Sequence, residues 1–564
     1  MLKGHPKGLY VFLFANMGER FGYYTMLAIF ILFLQARFGM NAEEAGRVYG
    51  TFLFGIYFIP LLGGIIADKL LGFGKTITLG IILMIAGYLL LSQPGSGKFM
   101  IYISLTIISF GTGFFKGNLQ ALVGKLYDDS KFNKFRDAAF WIFYMGINVG
   151  AFFAPSAAQT MSKWIMKKGD LVYNANIPSM AHDYLNAVQE GGVYERASEY
   201  MDLAKSSILP DTAYEFTNLA DFSQHYINTL SKSYSLGFGI AAVSIFISLL
   251  IFIGFRKTYK HVDVMHKEAV KDESSNIIKL KPEQFRKRLI ALGLIFMVNI
   301  FFWMAFHQNG FTLTIFARDY TFTEVSAFTY AFFDLRAFLP IIAVIIGLVL
   351  LIGKKNSKLT KMIGLSMAII ATAIAYLVIS TYDPKMPISP IIFQQFNPIF
   401  IVFLTPLVIG IFAALNKRHL EPSSPRKIGI GLMLAGLSFV IMIVAVIGLV
   451  TPKDFVAGSI ADSMRVTPYW LIATYFSLTI SELFYSPIGI SFVSKVAPPS
   501  LSGFMQGAWL GSTAVGNLLA GLIGPFWMKW EMWQFFLLLV VMLFLSSAFV
   551  FSIMKTLENA TSDE

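Results

Sequence analysis

The 564-residue chain contains no cysteine, so disulfide bonds and thiol chemistry are excluded. Charged residues are scarce at 14%, whereas 56% of the residues are hydrophobic and 15% are aromatic. The sequence has no His-Glu-x-x-His metal motif and no Gly-x-x-x-x-Gly-Lys-Ser/Thr phosphate loop, and its seven histidines do not cluster at metal-ligand spacing. We therefore predict neither an enzyme nor a bound cofactor or metal.

Long apolar runs recur along almost the whole chain. A membrane-spanning helix needs about 20 predominantly apolar residues, and fourteen runs of that kind predict an all-α polytopic membrane protein. The runs lie near residues 10–36, 43–67, 76–93, 99–124, 138–162, 233–255, 288–317, 327–352, 359–381, 389–415, 427–450, 467–494, 502–527 and 532–554. An even number of spans predicts that both termini lie on one side of the membrane.

Lysine and arginine are concentrated in alternate loops, which predicts that these loops and both termini are cytoplasmic and that the chain lies in a bacterial inner membrane. The net charge of +12 is then mostly a matter of topology, with some attraction to anionic lipid, and does not indicate nucleic-acid binding. The segment 166–231 carries nine carboxylates from Gly169 onward, which is typical of an exported segment. Apolar residues at helical spacing predict two or three short helices within it.

Several polar residues interrupt the apolar spans. In the first span, Asn16, Glu19, Arg20 and Tyr23 follow the spacing i, i+3, i+4, i+7 and share one helical face. A charge at mid-membrane depth costs roughly 2.5 to 3.5 kcal/mol on insertion scales, so such residues usually face a water-filled cavity or a partner. Lys116 and Glu482 lie in two other spans, and their opposite charges invite an ion pair. Polar groups on several helices predict a binding site near the membrane midplane.

Short motifs make the chain resemble a known family. The segment Asn16 to Tyr24 is similar to the signature E-x-x-E-R-F-x-Y-Y, and Phe143 to Gly150 matches F-Y-x-x-I-N-x-G. Further agreement is found at Gly113 to Asn118, Phe302-Trp303 with Gln308 and Gly310, Phe396 to Ile401, Ser481-Glu482 with Ser486-Pro487 and Gly489, and Trp509 with Gly516-Asn517. On these motifs the chain resembles the proton-dependent oligopeptide transporter family of the major facilitator superfamily.

The resemblance implies a major facilitator fold of two six-helix bundles. Twelve spans are shared with the family, and the spans at 327–352 and 359–381 form an extra pair inserted between Trp303 and Asn397. The predicted organisation is an N-terminal bundle with spans 1–5 (1–165), an exported insertion (166–231), span 6 (232–256), a cytoplasmic linker (257–285), span 7 (286–318), the inserted helical pair (325–382), the rest of the C-terminal bundle (388–556) and a cytoplasmic tail (557–564).

The family's binding site, transferred by motif, implies a cavity for small peptides. Arg20 and Lys116 would bind the peptide carboxylate, and Glu482 with Asn148 and Asn397 would bind the amino terminus. The aromatic residues that resemble the cavity walls are Tyr23, Tyr24, Tyr57, Trp303 and Trp509. The resemblance thus implies import of di- and tripeptides by alternating access, coupled to protons.

Four positions depart from the family pattern. Asn16 replaces a glutamate, so one titratable group is absent. Leu27 and His307 replace the two members of an ion pair in the periplasmic gate, and Gly50 replaces the histidine of animal members. We therefore expect Glu19 and Glu482 to carry the proton coupling, because a carboxylate beside a cation protonates when the peptide carboxylate draws that cation away. His307 is a second candidate for this role.

Other functions remain open at this point. A carrier of the same fold could transport a non-peptide substrate or move peptides without protons, because a fold does not fix a substrate. A peptide sensor or an assembly subunit, with a partner bound to the exported segment, is a further alternative. Lys116, Asn148, Asn397 and Glu482 together favour a peptide substrate, and an enzyme within the membrane is the least favoured function.

Overall fold

A computed structural model of the protein describes residues 4–127, 131–132, 136–210, 212, 214–263, 282–353, 356–454, 464–498 and 501–562. In these residues helices predominate, and twelve helices are long and apolar enough to cross a membrane. This confirms the all-α polytopic fold. The predicted spans near 138–162 and 502–527 also coincide with helices, of 33 and 21 residues, but these contain more small and polar residues. The count of fourteen spans therefore stays a prediction at these two positions.

The N-terminal bundle is built around its first helix. Its helices are α1 (Lys7–Phe38), α2 (Ala42–Phe58), α3 (Pro60–Ile66), α4 (Phe73–Leu91), α5 (Lys98–Lys125) and α6 (Arg136–Lys168), followed by α7 (Ile177–Gln189), α8 (Ala197–Ser206) and α9 (Leu219–Gly254). Helix α1 packs against α6 and α9, and α4 packs against α5 and α9. Gly39 ends α1 in the left-handed conformation (φ 62°), and the Asn41 side chain then caps α2 by accepting from the Glu44 N–H.

Helices α7 and α8 form a small domain at one end of the bundle, and we call residues 169–218 the cap. Tyr200 of α8 is fully buried, and its hydroxyl lies 2.7 Å from that of Ser223 in α9. His182 of α7 donates from Nε2 to the Ala36 carbonyl oxygen at 2.9 Å. The cap is therefore fixed to the N-terminal bundle. Helix α9 begins at Leu219, well before the predicted span at 233–255, because it continues out of the bundle and supports the cap.

The C-terminal bundle has the same plan with additional short elements. It contains α10 (Pro282–Phe306), a 3-10 turn (His307–Gly310), α11 (Thr312–Asp319), α12 (Ala327–Tyr330), α13 (Leu335–Ile352), α14 (Lys358–Ile379), α15 (Phe396–Lys417), α16 (Ser424–Ala445), α17 (Tyr469–Val496), α18 (Ser502–Leu522), α19 (Gly524–Lys529), α20 (Met532–Ser552) and α21 (Met554–Ser562). Helix α16 packs against α17 and α20, and α10 packs against α18. Serine hydroxyls form hydrogen bonds across two of these helix contacts. Ser481 donates to the Gly431 carbonyl and Ser547 donates to the Gly429 carbonyl, each at 2.8 Å.

Helices α13 and α14 form a pair that packs mainly against itself. The backbones approach closely where Gly347 faces Gly364, since a Cβ atom on Gly347 would lie 2.6 Å from the Gly364 carbonyl oxygen. Two short antiparallel strands, β1 (Glu324–Ser326) and β2 (Lys385–Pro387), join the chain before α13 to the chain after α14. The pair is thus an excursion that leaves the C-terminal bundle and returns at the same place.

The predicted linker and tail differ in how much the structure describes. Of the linker at 257–285, residues 264–281 lie outside the described residues. The predicted tail at 557–564 continues a helix, α21, as far as Ser562. Glu558 of this helix accepts a 2.6 Å hydrogen bond from the Ser423 hydroxyl and pairs with Arg426, so the end of the chain is attached to the start of α16.

Candidate functional site

The predicted site residues come from helices of both bundles. The N-terminal bundle contributes positions on α1, α2, α5 and α6, and the C-terminal bundle contributes positions on α10, α15, α17 and α18. The two sets face each other: the rings of Tyr57 in α2 and of His307, directly after α10, have centres 6.2 Å apart. The long-range packing of the two bundles, rather than any local motif, creates this central site.

Glu19 and Arg20 form a buried ion pair on α1. Arg20 donates from Nε to one Glu19 carboxylate oxygen at 2.5 Å and from an Nη atom to the other at 2.6 Å. Adjacent residues on a helix do not normally face each other, so both side chains bend toward the same side to make this bidentate contact. The Arg20 guanidinium also lies 4.8 Å from the ring centre of Tyr23, whose ring makes an edge contact with Tyr24 at 5.1 Å. Helix α1 thus presents an ion pair in which the charges of Glu19 and Arg20 neutralise each other.

Lys116 of α5 contacts an aromatic ring instead of a carboxylate. Its ammonium nitrogen lies 3.8 Å from the ring centre of Tyr57, a distance typical of a strong cation–π contact. Helix α5, which carries Lys116, also contacts α1, which carries Arg20. Lys116 and Arg20 therefore place two cations on the same side of the site, with Tyr57 between Lys116 and the opposite bundle.

The opposite side of the site holds one carboxylate. Glu482 is 8% exposed and accepts a 2.9 Å hydrogen bond from the Asn397 side-chain amide, which also donates to the Thr479 hydroxyl at 3.0 Å. The expected ion pair between Lys116 and Glu482 is absent in the described residues, and this expectation is wrong for the structure. The two charges belong to opposite bundles, and each has another partner, an aromatic ring for Lys116 and an amide for Glu482. Thr479 was not predicted, although its spacing of i, i+3 from Glu482 places it on the same helical face.

Asn148 lies on α6 and is 4% exposed. Its amide donates to the Tyr144 carbonyl oxygen of its own helix at 3.1 Å. The structure therefore records Asn397, rather than Asn148, as the amide bonded to Glu482.

Trp303 and Trp509 line the C-terminal half of the site in different ways. Trp509 is 3% exposed and stacks on Tyr485 with ring centres 6.1 Å apart. Asn299 of α10 holds the backbone near it, with its amide donating to the Trp509 carbonyl at 3.3 Å and to the Ser512 hydroxyl at 2.8 Å. Asn299 was not predicted, and its only signal was an amide inside an apolar run. Trp303 has a buried indole nitrogen without a hydrogen-bond partner among the described residues.

His307 and Leu27, the two positions expected to replace the family's gate ion pair, are both buried. Leu27 is 5% exposed and packs in the hydrophobic core. The His307 ring stacks on Trp303 at 5.4 Å and makes an edge contact with Tyr57 at 6.2 Å. Neither ring nitrogen of His307 has a hydrogen-bond partner in the described part of the chain. His307 thus lies in an aromatic cluster, and Tyr49 extends this cluster with a weak 3.5 Å contact to the His307 carbonyl.

The two bundles contact each other at the cap end. Gly50 of α2 faces Gly521 of α18, where a Cβ atom on Gly50 would lie 2.8 Å from the Gly521 Cα. A histidine at position 50 would not fit between these helices, which accounts for the glycine found there. Nearer the cap, Arg318 of α11 donates a 2.6 Å hydrogen bond to the side-chain oxygen of Gln35 in α1 and binds Asp319 with its other nitrogens. Contacts of α1 with α11 and of α2 with α18 therefore join the two bundles at the cap end.

Asn16 is 5% exposed, and its amide nitrogen has no hydrogen-bond partner among the described residues. The same holds for the Tyr23 hydroxyl. Both groups lie on the helical face that carries Arg20. They therefore add two hydrogen-bonding groups without a recorded protein partner to the N-terminal half of the site. Among the described residues, no group of three or more His, Cys, Asp or Glu side chains is placed to hold a metal ion.

Known proteins similar to this chain are membrane transporters. A transporter of Bacillus subtilis, YclF, is 27% identical over 524 residues, covering 92% of this chain and 87% of its own. The peptide transporter YePEPT of Yersinia enterocolitica is 25% identical over 538 residues, covering 92% and 88%. A di-/tripeptide transporter of Lactococcus lactis is 26% identical over 558 residues, covering 93% and 90%. These relatives are not enzymes, in agreement with the expectation from the sequence.

Solved structures support the same fold. The crystal structure of a mutant peptide transporter POT in complex with alafosfalin matches with a TM-score of 0.65 at 22% identity, covering 100% of this chain and 97% of that chain. A POT family transporter in complex with a thioalcohol-conjugated peptide matches with a TM-score of 0.66 at 19% identity, covering 99% and 98%. The sequence profile of the POT family matches residues 74–280 and 380–534. The chain belongs to the POT family.

Proposed function

We propose that this protein imports di- and tripeptides by alternating access of one central site. The observation that carries the proposal is the distribution of charge, with Arg20 and Lys116 on the N-terminal bundle and Glu482 on the C-terminal bundle. A zwitterionic peptide has its opposite charges at its two ends, so it matches a site whose two halves carry opposite signs. The names of the Yersinia and Lactococcus relatives support the same substrate class.

In this proposal the peptide carboxylate binds Arg20 and Lys116, and the amino terminus binds Glu482 and Asn397. The carboxylate would take the Arg20 fork from Glu19, since a planar guanidinium binds any carboxylate bidentately. Asn148 lies on a neighbouring helix and would assist at the amino terminus. The walls are aromatic, so side chains of different size and polarity find contact area without a specific partner. These wall residues are Tyr23, Tyr24, Tyr57, Trp303 and Trp509.

Alternating access would proceed by rocking the two bundles about this site. The contacts of Gln35 with Arg318 and of Gly50 with Gly521 close the site toward the cap. Opening on that side requires these contacts to separate while the bundles come together at the other end. The alternation of basic loops supports a bacterial inner membrane location with cytoplasmic termini, so that the cap faces outward.

Proton coupling is proposed to depend on Glu19 and Glu482. When a peptide carboxylate engages Arg20, Glu19 loses its partner inside a buried site and takes up a proton instead. Glu482 works in the opposite direction: it releases its proton when the peptide amine binds and takes up a proton when the amine leaves. Asn16 cannot contribute, because an amide does not titrate in this range. The cycle then links peptide binding to proton binding through competition for Arg20 in one half of the site and for Glu482 in the other.

The test is uptake by the purified protein in liposomes. A labelled dipeptide is offered with and without an inward proton gradient, and we expect accumulation above the external concentration only with the gradient. Glu19→Gln should still exchange peptide across the membrane but should lose accumulation, whereas Glu44→Gln, an exposed carboxylate on α2, should behave like the parent protein. Absence of uptake in both conditions would overturn the transport function. Accumulation by Glu19→Gln would overturn the role of Glu19 alone.

A further inference from the structure

An apolar groove of about 610 Å³ separates the inserted helix α13 from the N-terminal bundle. Its walls are formed chiefly by α6, with contributions from α1, α9 and the start of α13. The residues that define it best are Phe153, Ala157, Met161, Trp164, Ile240 and Leu335. The pair of α13 and α14 contacts the bundles sparsely, so this space is not filled by protein side chains.

The length of the groove matches one leaflet of a bilayer. Along α6 it runs from Phe153 to Trp164, which at 1.5 Å per residue is about 16 Å. Half of a bilayer's hydrocarbon core is about 15 Å thick. Trp164 lies one turn from the end of α6 at Lys168, on the cap side, and is half exposed. Tryptophan is enriched at the membrane surface, so the groove extends from that surface to the midplane.

The mouth of the groove is positively charged. Lys163 of α6 reaches across to the segment before α13 and donates to the Tyr330 hydroxyl at 3.1 Å. The Lys168 ammonium lies 3.8 Å from the ring centre of Trp164, which lines the groove. Among the described residues, the recorded partners of these two lysines are aromatic, and neither lysine forms an ion pair with a carboxylate. The nearby Arg336, by contrast, is paired with Asp334 at 2.7 Å.

We propose that this groove binds one anionic phospholipid of the cap-side leaflet, with an acyl chain along Ala157 and the headgroup phosphate at Lys163 and Lys168. Three observations support one lipid as the occupant. The walls are apolar, the length of the groove along α6 equals the thickness of one leaflet, and the two lysines at the surface end form no ion pair with a carboxylate of the described residues. The lipid would fill the space that protein side chains leave between α6 and α13. In this way it would fasten the inserted pair to the N-terminal bundle.

The first test measures lipid binding when the groove is filled. The full-length protein is stripped of lipid in detergent, titrated with phosphatidylglycerol and examined by native mass spectrometry. We expect Ala157→Trp, which fills the groove, to weaken the tightest-bound lipid at least tenfold. The matched control is Val243→Trp on α9, which adds the same ring at an exposed position outside the groove. Equal lipid binding by the two variants would overturn the groove as the binding site.

The second test concerns the headgroup and does not depend on the tryptophan variant folding. The double variant Lys163→Gln/Lys168→Gln should lose the preference for phosphatidylglycerol over phosphatidylcholine, whereas Lys205→Gln, an exposed lysine of the cap, should keep it. A parent protein that binds the two lipids equally would overturn the anionic headgroup. A preference that survives in the double variant would overturn the assignment to these lysines.

Discussion

The two halves of the central site satisfy their charges in different ways. The N-terminal half contains two cations and a carboxylate, and one of the cations, Arg20, is already bound to Glu19 through two hydrogen bonds. The C-terminal half contains a single carboxylate, Glu482, which is held by the neutral amide of Asn397. The neutral amide is displaced more easily than the guanidinium, because the amide makes one hydrogen bond to its carboxylate, whereas Arg20 makes two bonds to Glu19 and adds the attraction of opposite charges.

This difference assigns different tasks to the two ends of a peptide. The amino terminus meets a carboxylate that is available at once, so the C-terminal half would supply binding. The carboxylate must compete with Glu19 for Arg20, so the N-terminal half would convert binding into a change of protonation. Variants on the two sides should therefore differ. Those at Glu482 should lose affinity together with coupling, whereas those at Glu19 should lose mainly coupling.

The largest effect is expected when the two halves are prevented from separating at the cap end. Since the chain has no cysteine, Gln35→Cys/Arg318→Cys introduces a unique thiol pair at the contact between α1 and α11. A short bifunctional maleimide should join the pair and abolish peptide uptake in liposomes. Each single-cysteine variant, treated with the same reagent, should retain uptake. Full uptake by the cross-linked protein would show that this end does not open.

Removal of the carboxylate from the C-terminal half is expected to have the next largest effect. Glu482→Gln keeps the side-chain shape and the contact with Asn397 but removes the charge that would pair with the peptide amine. A charged hydrogen bond contributes roughly 1.5 to 3 kcal/mol, so the concentration for half-maximal uptake should rise about 10- to 100-fold. The exposed Glu324→Gln on strand β1 serves as the control. An unchanged half-maximal concentration would remove Glu482 from the binding site.

Arg20→Lys tests the competition in the N-terminal half. The substitution retains the charge but loses the planar fork that now binds Glu19 and would bind the peptide. Loss of one hydrogen bond, roughly 0.5 to 1.5 kcal/mol, predicts a 2- to 10-fold weaker affinity, measured by uptake at varied peptide concentration. Accumulation on a proton gradient should fall by a larger factor than affinity. A lysine cannot exchange Glu19 for the peptide carboxylate through the same pair of hydrogen bonds. The exposed Arg47→Lys on α2 should change neither quantity.

Tyr57 provides a smaller test of the same half. Tyr57→Phe keeps the ring over which Lys116 lies at 3.8 Å and should keep the affinity, whereas Tyr57→Leu removes the ring. A cation–π contact contributes roughly 0.5 to 1 kcal/mol when partly exposed, so Tyr57→Leu should bind peptide about threefold more weakly. Equal weakening by both variants would point to the hydroxyl rather than the ring.

The sequence was sufficient to predict the helices and to propose which residues form the site, because each inference depends on a local pattern. Apolar runs of about 20 residues mark the spans, and the motifs around Arg20, Lys116 and Glu482 mark the residues proposed for the site. The pairing within the site was not predictable in this way. The Glu19–Arg20 contact joins adjacent residues that a helix normally points apart, and the partner of Glu482 depends on how α15 packs against α17.

The glycine at position 50 illustrates the same limit. From the sequence, Gly50 is only the absence of a histidine, whereas the structure shows a close crossing of α2 with Gly521 of α18. Such a crossing depends on the arrangement of the two bundles, so no local pattern contains it. Likewise, His307 is from the sequence only an expected departure from the family pattern, whereas the structure shows the aromatic cluster around it.

The smallest effect is expected at His307, where the two halves meet. His307→Phe retains an aromatic ring against Trp303 and Tyr57 and removes two nitrogens that have no hydrogen-bond partner among the described residues. Because no such bond is lost, peptide affinity should change by no more than about twofold. Accumulation on a proton gradient separates the two roles open to this residue. If accumulation persists, Glu19 and Glu482 account for the coupling and His307 contributes only packing. If accumulation disappears while affinity is kept, His307 carries the proton, and the tasks proposed for the two halves are wrong.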